Sequence, residues 1–420
     1  TAQPAAAAEL ATLDVIADGR FDASVGRATA RQLGYLLVEQ QALRDPLGEL
    51  GLGTQDRRYL TLSGGASTTW TFGFGAHRAI GGLELRGDRF RDTDHDGMRA
   101  ALVGTRGTGA ASLAFDLAAG DRIVITPAVR VDLSRTAPTP MTEGPDAFAM
   151  VLARWDTVPS PRLAARALVT HELAIKGSAG WYVRLPTLLE LFGNRGTIVG
   201  SPELRAERGP SADVGVVWAP ARAIGLVDRI VIESAVFASR PRDTIALISS
   251  AGFAARAENV GGTQSYGAEL VAGARFGKLV SVSGAYTRLV TEQRTPDPNL
   301  DGRALTRTPG HLLHVHADVT RRIARRLVTL HADAAVQSTS YLDRANFQRV
   351  PGRVLVGSGA RVEVGGGLAV AVAVANLRGT RIVDVPAERA IDMPTAMALS
   401  DVAGFPLPGR TFYLSLDWTY

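Results

Sequence analysis

The chain ends in Thr411-Phe-Tyr-Leu-Ser-Leu-Asp-Trp-Thr-Tyr420, where Phe412, Leu414, Leu416, Trp418 and Tyr420 alternate with Thr411, Tyr413, Ser415, Asp417 and Thr419. Successive side chains of an extended strand point to opposite faces, so this period of two predicts a strand with one apolar and one polar face. The same period runs through Ile123, Ile125, Val129, Val131 and Leu133 against Arg122, Thr126, Arg130, Asp132 and Ser134. That stretch is long enough for the roughly 9 to 11 residues with which a tilted strand crosses a bilayer. In Leu368 to Ala375 the alternation is of size, with Leu368, Val370, Val372 and Val374 on one face and four alanines on the other. Bulky residues toward lipid and small ones inward would make a wall. Soluble β-sandwiches alternate too, so the period alone leaves the two open.

The connections separate them. Transmembrane barrels have short turns on one side of the membrane and longer loops on the other, in strict alternation. Read backward from Tyr420, long connections fall at 380–407, 342–350, 294–308, 240–261, 185–207, 137–159 and 92–108. Tight ones fall between them at 365–367, 321–325, 277–278, 220–225, 170–172 and 118–121. A sandwich or propeller gives no reason for that alternation. Counting this way predicts an all-β, antiparallel transmembrane barrel wall of about seventeen strands, the first near Leu13 to Ser24 and running downward. Single-chain bacterial barrels have even strand numbers, so the expectation is a chain that begins partway round a larger barrel.

Composition agrees. With 46% apolar and 21% charged residues the chain can fold, and no apolar run approaches the roughly 18 residues of a membrane-spanning helix. Cysteine is absent, which removes disulfides, thiolate metal sites and cysteine nucleophiles. The net charge of +5 comes almost wholly from arginine, since Lys176 and Lys278 are the only lysines. The arginines are scattered rather than striped, so no nucleic-acid partner is expected.

The stretch Trp181-Tyr-Val-Arg-Leu-Pro-Thr-Leu-Leu-Glu-Leu-Phe-Gly-Asn-Arg-Gly196, followed by Ser201-Pro-Glu-Leu-Arg-Ala-Glu207, resembles the signature of TonB-dependent outer-membrane receptors. In that family an R-x-P-T-x-x-E-L-F segment ends an ascending strand and N-P-x-L-x-x-E opens the next; Ser201 stands here for the Asn. Glu258-Asn-Val-Gly261 leading to Tyr266-Gly-Ala-Glu-Leu270, Val374-Ala-Asn-Leu377, and Phe405-Pro-Leu-Pro-Gly-Arg410 continue the match in the family's order. The resemblance implies a barrel of twenty-two strands, closed by a plug and energised through the TonB complex. Neither a plug nor a TonB-contacting box is found in the sequence, and 1–420 reads as barrel domain throughout. Thr1 to Ala11 is Ala-rich and lacks the basic start of a signal peptide. The expectation is a cut piece, or a chain whose plug and first strands come from a partner, because unpaired strand edges in lipid cost several kcal/mol per backbone group.

Three groups are candidate sites. Asp92-Thr-Asp-His-Asp-Gly97 places Asp92, Asp94 and Asp96 at the alternate spacing of a calcium loop, but Val103 stands at the twelfth position where an EF-hand needs Glu. A solvated acidic turn and a looser calcium site remain the two readings. His314, His316 and Asp318 share a strand face, and His331 and Asp333 share one on the next strand; a turn centred on Ile323 and Ala324 sets His316 opposite His331 and His314 opposite Asp333. Those residues suit a transition metal or, more simply, a polar barrel interior. Trp181 and Tyr182, with Phe192, Asn194 and Arg195 on the following outer loop, could hold an anionic or chelate ligand, or could be an Asn-Arg-Gly turn flanked by interfacial aromatics. No hydrolase constellation, zinc helix or phosphate loop appears, so no enzyme is expected.

The resemblance implies an outer-membrane importer of a scarce large solute, such as a ferric siderophore or a cobalamin-like chelate. A structural barrel in a multi-chain envelope assembly and a passive porin are the alternatives.

Overall fold

The computed structural model of the protein describes residues 7–49, 53–96, 102–138, 153–193, 198–249, 255–380, 383–384, 397–398 and 409–419. One antiparallel sheet of 17 strands organises them. Its first eight strands are β1 (Glu9–Val25), β2 (Ala28–Asp45), β3 (Gln55–Phe74), β4 (His77–Asp94), β5 (Leu102–Ala119), β6 (Ile123–Pro138), β7 (Arg154–Leu168) and β8 (Leu173–Arg184). After the short helix α1 (Leu188–Phe192) come β9 (Glu207–Trp218), β10 (Arg229–Ser239), β11 (Gly262–Phe276), β12 (Val280–Arg294) and β13 (His311–Ile323). Strands β14 (Arg326–Gln337), β15 (Arg353–Gly365), β16 (Leu368–Ala375) and β17 (Thr411–Trp418) complete it.

Each strand pairs with its neighbours in chain order, as a meander must. Among the described residues no ladder joins β1 to β17, so the sheet has two edges. The turn at the lower end of β1 is closed by Gly26, whose φ of 59° suits glycine. The predicted alternation of tight turns and long loops is present throughout.

The register makes the two faces continuous. Leu368, Val370, Val372 and Val374 lie opposite Trp418, Leu416, Leu414 and Phe412, while Ala369 and Ala371 lie opposite Asp417 and Ser415. Val362 and Ala360 of β15 extend the apolar row, and Leu330 of β14 follows. The face behind is polar: Ser178 pairs with Asp213 on the adjoining strand, and Lys176–Glu233 and Arg361–Asp417 each reach across one intervening strand. Helix α1 packs on this polar face, which is therefore the inner one.

Two expectations are corrected. The connection placed at 92–108 is shorter, because β4 runs to Asp94 and β5 begins at Leu102. Above the apolar band both faces are wet, so the hydrophobic alternation fades while the backbone ladder continues. The β13–β14 turn centres on Ala324 and Arg325, with φ of 47° and 66°, rather than on Ile323 and Ala324. Two positive φ values give the turn the twist that a two-residue hairpin requires. The register consequently moves by two: Asp318 faces His331, His316 faces Asp333, and His314 faces Ala335.

Candidate functional site

The loop-side end of the inner face is built around Arg184, the last residue of β8. Its guanidinium donates to both oxygens of Glu190, at 3.1 and 3.0 Å, and to Glu207 Oε1 at 2.5 Å. Glu190 is held by local chemistry. Pro186 stops the strand, and Thr187 caps α1: the Glu190 N–H donates to Thr187 Oγ1 (3.2 Å) and the Thr187 N–H donates to Glu190 Oε2 (2.7 Å). A five-residue helix is too short to persist unaided, so burial of Leu191 and Phe192 must hold it.

That burial is specific. Phe192 stacks on Phe90 at 6.3 Å, and Phe90 stacks on Tyr59 at 6.5 Å. Leu204 and Ile245 join the same cluster. Gly104 makes the room, since a Cβ there would overlap the Phe192 ring.

Two long loops are tied together over this core. The Ile245 N–H donates to Glu207 Oε1 (2.8 Å), and Asn259 Nδ2 donates to the carbonyls of Arg205 (3.1 Å) and Asp243 (2.6 Å). The short strand Ile198–Val199 pairs parallel with Ala255–Asn259, which pairs antiparallel with Ile245–Ser249. The residues that form the signature in the sequence are thus the knot that folds the loops at the mouth.

The described ligand candidates, Trp181, Tyr182 and Phe192, do not converge. Trp181 and Tyr182 are consecutive in β8 and point to opposite faces, Trp181 outward at 46% exposure and Tyr182 inward at 39%. Tyr182 Oη donates to Glu207 Oε2 at 3.4 Å. Phe192, expected on an outer loop and open to ligand, is instead 3% exposed, because Phe90 and Leu191 enclose it. Asn194 and Arg195 lie outside the described residues.

Asp92 and Asp94 are on the inner face of β4, where both pair with Arg57, at 3.1 and 3.6 Å. Asp96 is exposed, and its N–H donates to Asp94 Oδ1 (3.2 Å). A calcium ion at Asp92, Asp94 and Asp96 would have to compete with that guanidinium. His316 and His331 stack at 6.0 Å on the inner face, and His316 Nε2 lies 3.1 Å from Asp318 Oδ1. Among the described residues no three histidine or carboxylate side chains are arranged to hold a metal. Sequence reading missed Glu190, Glu207 and Asn259 as a unit. Their positions in the signature were the available signal.

A family model described as TonB dependent receptor-like, beta-barrel matches residues 11–377. No curated protein matches by sequence. Among solved structures, the copper transporter OprC superposes with a TM-score of 0.74 at 13% identity, over 99% of this chain and 67% of that one. The siderophore receptor PiuA from Acinetobacter baumannii gives 0.72 at 14% identity, over 98% and 65%. BauA, the ferric preacinetobactin receptor from the same species, gives 0.69 at 14%, over 98% and 63%. The chain thus spans about two thirds of the length of these proteins, and at such identity the likeness is one of fold.

Proposed function

The chain belongs to the TonB-dependent receptor β-barrel family, and from that membership we propose that it supplies the wall and loops of a receptor importing a scarce large solute, a ferric siderophore or a cobalamin-like chelate. Its place is the bacterial outer membrane, and its work is transport without covalent chemistry. The observation that carries the reading is the family match over residues 11–377, on a sheet with an apolar outward face and a polar inward one.

In this reading the barrel closes as twenty-two strands, with additional strands between β17 and β1. A plug, on this polypeptide or a partner, fills the inner face. Support comes from the two sheet edges that are unpaired among the described residues, costly in lipid, and from the greater length of the solved structures. The loops knotted by Arg184 capture the solute, TonB displaces the plug, and the polar inner face provides the path. Of the aromatic candidates, Tyr182 is the inward-facing and accessible one, and we assign it to the ligand side of the mouth.

The test is uptake of radiolabelled ferric chelates and cobalamin by cells producing the full receptor, with and without TonB. Accumulation of one of them that requires TonB supports the proposal. Flux that is indifferent to TonB and linear in concentration would mean a passive pore, and no uptake of any chelate would favour a structural barrel.

A further inference from the structure

Parity along the strands assigns each residue to a face, and on the outward face of β3 to β6 it brings together four exposed arginines, Arg58, Arg89, Arg91 and Arg135. Arg91 lies opposite Leu60 and Arg89 opposite Leu62. Arg135 lies opposite Gly107, two positions from Thr105, which faces Arg89. All four stand near the long-loop ends of their strands, directly above the apolar band. Among the described residues none of the four meets a carboxylate, whereas outward Arg294, elsewhere on the sheet, pairs with Glu292. The Arg135 guanidinium rests 5.9 Å from the centre of the Trp155 ring, its cross-strand neighbour.

Beside Arg89 on its strand, in the cross-strand row that ends on Arg135, is a furrow without side chains. Gly64, Gly87 and Gly107 lie opposite one another across three strands. A Cβ at Gly87 or Gly107 would meet nothing within 4 Å, so no protein atom explains these glycines. Leu85, Leu133 and Trp155 wall a groove of about 640 Å³ that runs along them.

We propose that this sector seats a polyphosphorylated glycolipid of the outer leaflet, with its phosphates on Arg58, Arg89, Arg91 and Arg135 and an acyl chain in the glycine furrow. Charge complementarity selects an anionic headgroup, since arginine binds phosphate oxygens in a bidentate manner. The width selects more than one phosphate. Strands are about 4.8 Å apart, so β3 to β6 span roughly 14 Å, beyond the reach of one phosphodiester. The inference rests on placement in the outer membrane and not on the transported solute, so an uptake experiment that fails leaves it standing.

The experiment is native mass spectrometry of the detergent-purified full receptor with bis-phosphorylated lipid A as probe, against phosphatidylglycerol. Wild type should retain lipid A in preference to phosphatidylglycerol. R89Q/R91Q/R135Q should weaken retention by roughly a hundredfold, as expected for three guanidinium contacts to an anionic lipid surface. G87L/G107L, whose Cβ atoms would meet no protein atom within 4 Å, fills the furrow and should weaken retention while the barrel keeps its heat-modifiable migration on gels. This second variant decides the matter if the first misfolds. Equal retention by wild type and variants, or phosphatidylglycerol retained as well as lipid A, would overturn the proposal.

Discussion

Arg184 and Glu207 sit opposite each other at the top of the β8–β9 ladder, and the guanidinium that reaches Glu207 also holds the carboxylate that caps α1. One residue therefore couples a strand end, a helix start and, through the Ile245 N–H on Glu207, a second loop. Glu207 is buried, so its loss strands the Ile245 amide and leaves the guanidinium with Glu190 alone.

Glu207→Ala should destabilise this knot by about 1 to 3 kcal/mol, the cost of a lost charged hydrogen bond and a buried amide left unpaired. The sheet does not depend on the knot. Limited proteolysis should gain cleavage within 185–206 and 240–261, while heat-modifiable gel migration of the barrel stays unchanged. Loss of the folded band altogether would show that the knot is needed for the wall.

Phe192→Ala should remove the stacking on Phe90 and cost about 3 to 5 kcal/mol at the mouth. Gly104→Val should do similar damage from the other side, because the new side chain occupies the ring's place. If Phe192 touched ligand instead, its replacement would lower affinity without exposing the loop to protease. The two readouts together distinguish a core residue from a contact residue.

Arg57 already occupies the carboxylates of Asp92 and Asp94. Calcium should leave the proteolysis pattern around 95–101 unchanged in the wild type. Arg57→Gln removes that competing cation and should make the pattern calcium-dependent. Calcium protection of the wild type would restore a loop site at Asp92, Asp94 and Asp96.

At the β13–β14 turn, Ala324 and Arg325 both take left-handed conformations that L-residues disfavour. Replacing them with Asn-Gly should raise stability by about 1 kcal/mol, seen as a higher temperature for loss of the folded gel band. No gain would mean that the turn differs from a two-residue hairpin in solution.

A charge placed on the outward apolar face should be costly in a way that one on the inner face is not. Val372→Arg, opposite Leu414, should cost about 2 to 4 kcal/mol if it lies near the bilayer midplane, whereas Ala371→Ser, opposite Ser415, should be close to neutral. Similar effects for both would remove lipid from the outward face.

The strand count, the order of strands, the up-and-down course and the identity of each face were legible in the chain itself. They depend on interactions between near neighbours: the pleat turns alternate residues such as Val370 and Ala371 to opposite sides, and tight turns need glycine or short polar segments. The mouth was not legible, because its contacts join residues far apart in sequence. Phe192 reads as an exposed loop aromatic until Phe90 and Gly104 are brought beneath it, and the sequence does not show that Arg57 of β3 meets Asp92 and Asp94. The β13–β14 register turned on two backbone dihedral angles that Ala324 and Arg325 do not advertise. The arginine row is the same case: Arg58, Arg89, Arg91 and Arg135 are scattered along the chain, and only the lateral pairing of strands β3 to β6 makes them neighbours.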